Sequence, residues 1–198
     1  MNAGIARALW VCLTVAVLSA FGVRAEDEAK TAAPFPEDWF WTTDHLQTER
    51  DAMIGKPMPK WELAEWTNAE KKADDLKGKI VVVDFWATWC GPCIAAIPHT
   101  NEIMAEYKDK GVEVLAICCS DGAENMETVA KEKAIKYSTA KDVEKKSASA
   151  WNVGFWPTFA VVDREGIVRA IGIKPDYVDD IVEKILEEQP MPEEKKAE

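Results

Sequence analysis

FWATWCGPC, residues 85–93, combines three aromatic side chains with two cysteines that are separated by two residues. The β-branched stretch IVVVDFWA, residues 80–87, leads into this segment and predicts a buried strand. Beyond Cys93, apolar side chains recur at helical spacing until Gly111, although Pro98 is expected to bend this helix. The cysteine pair therefore lies where a buried strand ends and a helix begins.

Two cysteines at this spacing can bind zinc, form a structural bridge or act as a reversible dithiol. Zinc would need two more ligands, and haem attachment would need a histidine where the chain has Ile94, so haem attachment is excluded. The setting favours redox chemistry, because the N–H groups and the dipole of a helix N-terminus stabilise a thiolate on Cys90. Cys93, one turn into the helix, is placed to resolve a mixed disulfide. Gly91 and Pro92 permit and stiffen the turn.

The remaining pattern predicts an α/β fold. Strands are expected in KWELAEW and VEVLAICC, and an antiparallel pair is expected in TFAVVD and IVRAIGI, joined by the turn REG. Helices are expected over about 123–137, in DVEKKSASAWNV and in PDYVDDIVEKILEEQ. A strand that leads through a helix to the next strand implies a parallel pair, so the predicted sheet is mixed.

The chain divides into four predicted segments. Residues 1–25 carry an apolar run that is shorter than the roughly 20 residues that span a bilayer, and they end in a small-x-small pattern. We predict a removable export signal there, with an uncleaved membrane anchor as the alternative. A tether and an N-terminal helical segment follow over 26–53, the main domain covers 54–188, and 189–198 form a disordered charged tail.

Charge and the aromatic run WFW at 39–41 bear on partners. Loss of the signal removes two arginines and no acid, and it changes the formal net charge from −11 to −13, so nucleic acid is not an expected partner.

One helix face cannot hold the three adjacent rings of residues 39–41. These rings are expected to cap the core, and the alternative is contact with a partner.

VVVDFWATWCGPC resembles the active-site strand and loop of thioredoxins. Together with IGKPMP and GFWPTFAVVDREGIV, it is similar to the exported TlpA/ResA-type thiol-disulfide oxidoreductases over about residues 54–188. The resemblance implies a thioredoxin fold, in which a mixed central sheet is flanked by helices on both faces. It also implies a reversible Cys90–Cys93 disulfide as the catalytic centre, without an organic cofactor or a metal.

The resemblance assigns Asp84 to a buried acid beneath the second cysteine. A carboxyl group in apolar surroundings has a raised pKa and can take or return the proton of Cys93 near neutral pH. Many TlpA/ResA-type proteins have no acid here, and Ile117 stands where thioredoxins often have a lysine. Asp84 would thus lack a charged partner. The alternative for Asp84 is an ordinary surface hydrogen bond at the strand end.

Pro157 matches the cis-proline that faces the dithiol in this family, and such a proline exposes backbone groups to an extended client peptide. Trp156 replaces the smaller residue that is usual before it. We predict that Trp156 and Trp89 form an apolar rim that selects the clients that reach Cys90. The alternative is a loop proline preceded by a core tryptophan.

His99 and the second cysteine pair also need an interpretation. His99 lies more than one helical turn from Cys93, so we interpret it as a surface or packing residue rather than a general base. Cys118 and Cys119 end VEVLAICC, at the edge of the sheet where the first pair is expected. Successive strand side chains point to opposite faces, which makes a shared zinc site awkward. Packing thiols, an accessory redox pair and a metal site are the alternatives.

These inferences predict an exported, periplasmic protein-disulfide reductase that acts as a monomer. Its Gly-Pro spacer resembles that of reducing thioredoxins, whose potentials lie near about −270 mV. Such a reductant needs a membrane electron donor, as TlpA/ResA-type proteins do, and its expected clients are oxidised proteins, with apocytochrome c as one candidate. A thiol-based metal-binding or metal-delivery protein is the alternative from another class, and a non-catalytic binding module is a third.

Overall fold

The computed structural model describes residues 35–191. The predicted export signal, most of the tether and residues 192–198 lie outside the described residues. Within 35–191, none of the helices has the length and hydropathy of a transmembrane segment.

A six-stranded mixed sheet forms the centre of the domain, in the order β1-β4-β3-β2-β5-β6. The strands β2, β3 and β4 run parallel, whereas β1, β5 and β6 run antiparallel to their neighbours. The predicted mixed α/β sheet is confirmed, and the carboxyl ends of β2 and β3 meet at one edge. The strands are β1 Leu63–Thr67, β2 Ile80–Trp86, β3 Val112–Cys118, β4 Ser138–Asp142, β5 Thr158–Val162 and β6 Val168–Ile173.

The helices follow their sequence signals closely at their ends. The hydroxyl of Thr43 caps the first helix by accepting the N–H of Leu46 at 3.2 Å. The second helix runs through Pro98, tightens into a 3-10 turn and ends at Gly111, whose φ of 74° favours glycine. The helices are α1 Asp44–Met53, α2 Gly91–Tyr107, α3 Met126–Glu132, α4 Lys146–Ala150 and α5 Val178–Glu188.

Helices cover both faces of the sheet, as the thioredoxin fold requires. Alternation along β2 sends Val82 and Trp86 into a cluster with side chains of α2, α3 and α5. Val83 and Phe85 point the other way, into a second cluster that includes the end of α1 and part of α4. The dithiol helix α2 thus packs on the same face of the sheet as the closing helix α5.

The sequence did not predict β4, and the helix expected over about 123–137 is shorter, with α3 ending at Glu132. The strand reads STAKD, and its polar residues hide it from a hydrophobic pattern. The structure gives these groups internal partners. Thr139 Oγ1 accepts a hydrogen bond from Trp86 Nε1 at 3.0 Å, and the Asp142 carboxylate accepts two backbone N–H bonds from α4 at 2.8 and 2.9 Å.

The N-terminal segment packs against the β6 edge, and its three adjacent rings enter three environments. Trp39 stacks on Tyr177 with ring centroids 5.5 Å apart. Phe40 is buried and forms a β-bridge with Ile173. Trp41 remains 38% exposed. Two of the rings therefore cover the core, and the third faces outward.

The predicted tail begins at the surface of the domain. The carbonyl oxygen of Gln189 accepts a hydrogen bond from Arg164 Nε at 2.8 Å, and its side-chain oxygen accepts the Arg164 N–H at 3.1 Å. The same guanidinium donates to the carbonyl of Gly78. Gln189 is therefore held against the end of the sheet that lies opposite the cysteine pairs.

Candidate active site

The first cysteine pair lies directly beyond the carboxyl end of β2. Cys90 is the N-cap residue of α2 and forms a disulfide with Cys93, with an S–S distance of 2.06 Å and a Cα–Cα distance of 5.3 Å. The Cys93 N–H donates a hydrogen bond to Cys90 Sγ at 3.2 Å. A capping oxygen normally accepts this bond, and here a sulfur takes that place. The helix start therefore directs a donor at the sulfur that gains negative charge on reduction.

The disulfide lies just beneath the surface. Cys90 is 5% exposed and Cys93 is 4% exposed. Around them, Gly91 and Pro92 are exposed, and the neighbouring Trp89 is 59% exposed. The surface next to the disulfide is therefore formed by this exposed loop.

Asp84 is a buried carboxyl group on β2. Its side chain is 4% exposed, and strand alternation places it on the same face as Val82 and Trp86, which share a cluster with Cys93. Burial raises the pKa of this carboxyl to about 7, and the Tyr137 hydroxyl, which donates to Oδ2 at 3.5 Å, opposes the rise. Asp84 can therefore exchange a proton near neutral pH from within the face that α2 covers.

Trp89 and Trp156 come together beside the dithiol loop. Their ring centroids are 5.9 Å apart in an edge-to-face arrangement. The exposed ring of Trp89 is fixed further by its Nε1, which donates to the Asp121 carbonyl at 2.9 Å. The peptide bond between Trp156 and Pro157 is cis. The structure thus places the two predicted rim residues, Trp89 and Trp156, together, with Pro157 next to them in the chain.

An apolar groove of about 340 Å³ extends from Trp156 toward the N-terminal segment. One wall comes from the dithiol loop and the segment 155–157, and the other comes from the start of α1 and the residues before it. None of its lining residues is charged. They are Trp41, Thr42, Thr43, Leu46, Pro92, Phe155, Trp156 and Pro157.

The second cysteine pair is buried in the cluster on the α2 side of the sheet. Both side chains reach that cluster because β3 ends at Cys118 and the chain then leaves strand geometry. Burial raises the pKa of Cys118 to about 12 and also raises the pKa of Cys119. Both thiols are thus uncharged at neutral pH. Within 35–191, no three His, Cys, Asp or Glu side chains are grouped to hold a metal ion.

His99 is half-buried on α2, in contact with acidic side chains. Its Nε2 lies 3.4 Å from Asp179 Oδ1 and its Nδ1 lies 3.8 Å from Glu102 Oε2. The contact with Asp179 links α2 to α5. The structure therefore gives His99 a place in helix packing.

Sequence reasoning missed two contributions to the site because both come from distant segments. Tyr137 lies 53 residues from Asp84 in the chain, just before the unpredicted β4. Trp41 and Leu46 precede the predicted domain boundary at residue 54, yet they line the groove beside the dithiol loop. No local motif marks either contribution. The aromatic run at 39–41, of which Trp41 is exposed, was the only sequence signal for the groove wall.

A strand that carries a buried acid and delivers a cysteine pair to a helix N-terminus defines the class of thioredoxin-fold thiol-disulfide oxidoreductases. The sequence profile of the AhpC/TSA family matches residues 54–171. This chain belongs to that family and is a thiol-disulfide oxidoreductase of the ResA type.

Individual relatives and solved structures agree. The thiol-disulfide oxidoreductase ResA of a Bacillus cereus strain is 33% identical over 136 residues, which cover 69% of this chain and 71% of that protein. ResA of Geobacillus kaustophilus is 33% identical over 125 residues, which cover 63% and 72%. A crystal structure from Chlorobium tepidum, described as a candidate thiol:disulfide interchange protein DsbE, has a TM-score of 0.59 and 27% identity, and the match covers 67% of this chain and 95% of that one.

Proposed function

We propose that this chain is an exported reductase of protein disulfides, in which Cys90 attacks the client, Cys93 resolves the intermediate and Asp84 accepts a proton. The observation that carries the proposal is the Cys93 N–H bond to Cys90 Sγ at the first turn of α2. This donor stabilises negative charge on one sulfur of the pair. The Gly-Pro spacer, which resembles that of reducing thioredoxins, supports the reducing direction.

The reaction conserves atoms and electrons in two exchanges. The Cys90 thiolate attacks a client disulfide, forms a mixed disulfide and releases the first client sulfur as a thiolate. Asp84 then takes the proton of the Cys93 thiol. The Cys93 thiolate attacks Cys90 Sγ, which yields the Cys90–Cys93 disulfide and releases the second client thiolate. The client gains two electrons, and the dithiol loses two.

The surroundings of the dithiol support a polypeptide as the client. The exposed ring of Trp89 packs edge-to-face on Trp156, and the uncharged groove continues from Trp156 to Trp41 and Leu46. Apolar surface of this kind binds the residues that flank a client cysteine. Oxidised exported proteins, with apocytochrome c as one candidate, are the proposed clients. A membrane electron donor is proposed to return the dithiol to its reduced form.

Trapping of the mixed disulfide tests the proposed reaction. The reduced Cys93→Ser variant is incubated with insulin, and we expect a covalent complex through Cys90 that dithiothreitol releases. Cys90→Ser is the matched control and should trap nothing. A complex that forms with Cys90→Ser, or the absence of a complex with Cys93→Ser, would contradict the assigned order of attack.

Equilibration with glutathione buffers tests the direction of transfer. A reductase has a potential near that of thioredoxin, about −270 mV, whereas a value near that of DsbA, about −120 mV, would identify an oxidant. Export has a separate test: the protein recovered from the periplasm should begin at Glu26. Recovery of the intact N-terminus in the membrane fraction would favour the anchored alternative.

A further inference from the structure

Asp84 has a buried partner that reaches it from two strands away. Tyr137 is 1% exposed and lies just before β4, and its hydroxyl donates to Asp84 Oδ2 at 3.5 Å. Between β2 and β4 runs β3, where Ala116 is paired with both Asp84 and Thr139. The small side chain of Ala116 leaves room for the phenol ring over β3. The packing of three strands thus sets the position of this hydroxyl.

The groups that face this contact come from three elements. Thr100 of α2 lies beside the Tyr137 hydroxyl, and its own hydroxyl donates to the Ala96 carbonyl at 3.1 Å. Cys118 of β3 lies close enough for the Asp84 charge to raise its pKa. Burial raises the pKa of Asp84, and the hydrogen bond from Tyr137 lowers it. Within the described residues, no basic side chain contributes to the shift. The hydroxyl is therefore the group that favours the charged carboxylate.

We propose that Tyr137 is a positioning residue for the thiol exchange, whose hydroxyl orients the Asp84 carboxylate and stabilises its charged form while it accepts the Cys93 proton. This inference rests on the proposed role of Asp84. Tyr137 keeps its own proton throughout, because burial and the Asp84 charge raise its pKa well above 10. The proton moves from Cys93 Sγ to Asp84, and the Tyr137 hydrogen bond is present before and after the transfer.

Infrared titration of the oxidised protein tests the contact without any turnover. The band of the protonated Asp84 carboxyl disappears as pH rises, and Asp84→Asn identifies it. We expect Tyr137→Phe to move the midpoint upward by about 0.5–1 pH unit, because the carboxylate loses a donor. Tyr107→Phe is the matched control, since it removes a 2.8 Å bond from a buried tyrosine to Glu183. An unchanged midpoint in Tyr137→Phe, or an equal movement in Tyr107→Phe, overturns the proposal.

The pH profile of oxidation by a small disulfide then tests the link to catalysis. We expect Tyr137→Phe to slow the oxidation of the reduced protein about two- to fivefold at pH 7, because less of the Asp84 carboxyl is charged there, and to move the inflection upward, as in the infrared titration. In an Asp84→Asn background the same change should have no further effect. If Tyr137→Phe moves the infrared midpoint but leaves the pH profile of the rate unchanged, the proposed role of Tyr137 in thiol exchange is overturned, although the Tyr137–Asp84 hydrogen bond is supported. If Tyr137→Phe does not fold, 3-fluorotyrosine at position 137 keeps the side-chain shape and makes the hydroxyl a stronger donor, so the midpoint should move downward, and an unchanged midpoint overturns the proposal.

Discussion

The two cysteine pairs follow neighbouring parallel strands, so the sheet carries both to the same edge. Trp86 at the end of β2 is paired with Cys118 at the end of β3. After β2 the chain enters a long helix, with one cysteine at its cap and the other within hydrogen-bond distance. After β3 the chain enters a turn, and its two adjacent thiols remain in the core. The element after the strand, rather than the strand itself, therefore decides whether a backbone N–H is directed at a cysteine sulfur.

Replacement of one cysteine from each pair should give the largest contrast. We expect Cys90→Ser to lower the rate of insulin reduction by more than about 10³-fold, because the nucleophile is lost. Cys118→Ser should leave the rate within about twofold of the wild type, since this thiol is placed outside the exchange. Turnover with dithiothreitol as the electron source measures both. A comparable loss in Cys118→Ser would identify the second pair as a participant.

Alkylation compares the two pairs without mutation. A rise in the pKa of Cys118 from 9.0 to about 12 lowers its thiolate fraction at neutral pH by about 10³-fold. We therefore expect iodoacetamide to label Cys90 in the reduced native protein while Cys118 stays unlabelled until the protein is denatured. Peptide mass spectrometry at several times gives both rates. Labelling of Cys118 at the rate of a free cysteine would place it at the surface.

Asp84 lies on the face of β2 whose cluster includes both cysteine pairs. Its burial lowers the free energy of unfolding by an amount that depends on pH. The folded protein holds a proton on this carboxyl up to about pH 7, whereas the unfolded chain releases it near 3.8. The stability that this group contributes is therefore present below about pH 4 and is lost as pH rises through 7. At about 1.4 kcal/mol for each tenfold change in proton affinity, the loss is roughly 4 kcal/mol.

Asp84→Asn should remove this loss. We expect the variant to have a higher free energy of unfolding than the wild type at pH 8, and the difference should vanish near pH 4. Urea unfolding of the oxidised proteins at pH 4, 6 and 8 measures it. A difference that is constant with pH would mean that packing around residue 84 determines the effect and that the carboxyl titrates normally.

The sequence could predict the features that contiguous residues form, but not those that depend on distant partners. The strand, the dithiol and the helix that follows it are contiguous, so residues 80–107 predict their own geometry. The strand β4 could not be predicted because Thr139 and Asp142 are polar, and only tertiary partners make them suitable for the interior. Tyr137 was missed for the same reason. Asp84 was expected to lack a charged partner, and the uncharged Tyr137 that contacts it is a partner that local sequence cannot reveal.

The loops that follow the two strands are tied together, and this tie gives the smallest predicted effect. Thr88 Oγ1 donates to the Gly122 carbonyl at 2.8 Å, and Trp89 Nε1 donates to the neighbouring Asp121 carbonyl. Gly122 has a φ of 80°, and a Cβ there would come within 2.9 Å of both donor side chains. The turn beyond Cys119 is therefore closed by the loop that carries the reactive pair.

Thr88→Val keeps the side-chain shape and removes the donor. The lost hydrogen bond is worth about 1 kcal/mol, so local opening should become about fivefold more frequent. We expect slow alkylation of Cys119 to rise by the same factor while insulin reduction changes little. Thr158→Val is the control, because it removes a bond of the same 2.8 Å length to the Phe155 carbonyl. Equal acceleration in both variants would show that Cys119 is protected by the stability of the whole domain, and the tie between the loops would then have no part in keeping the second pair unreactive.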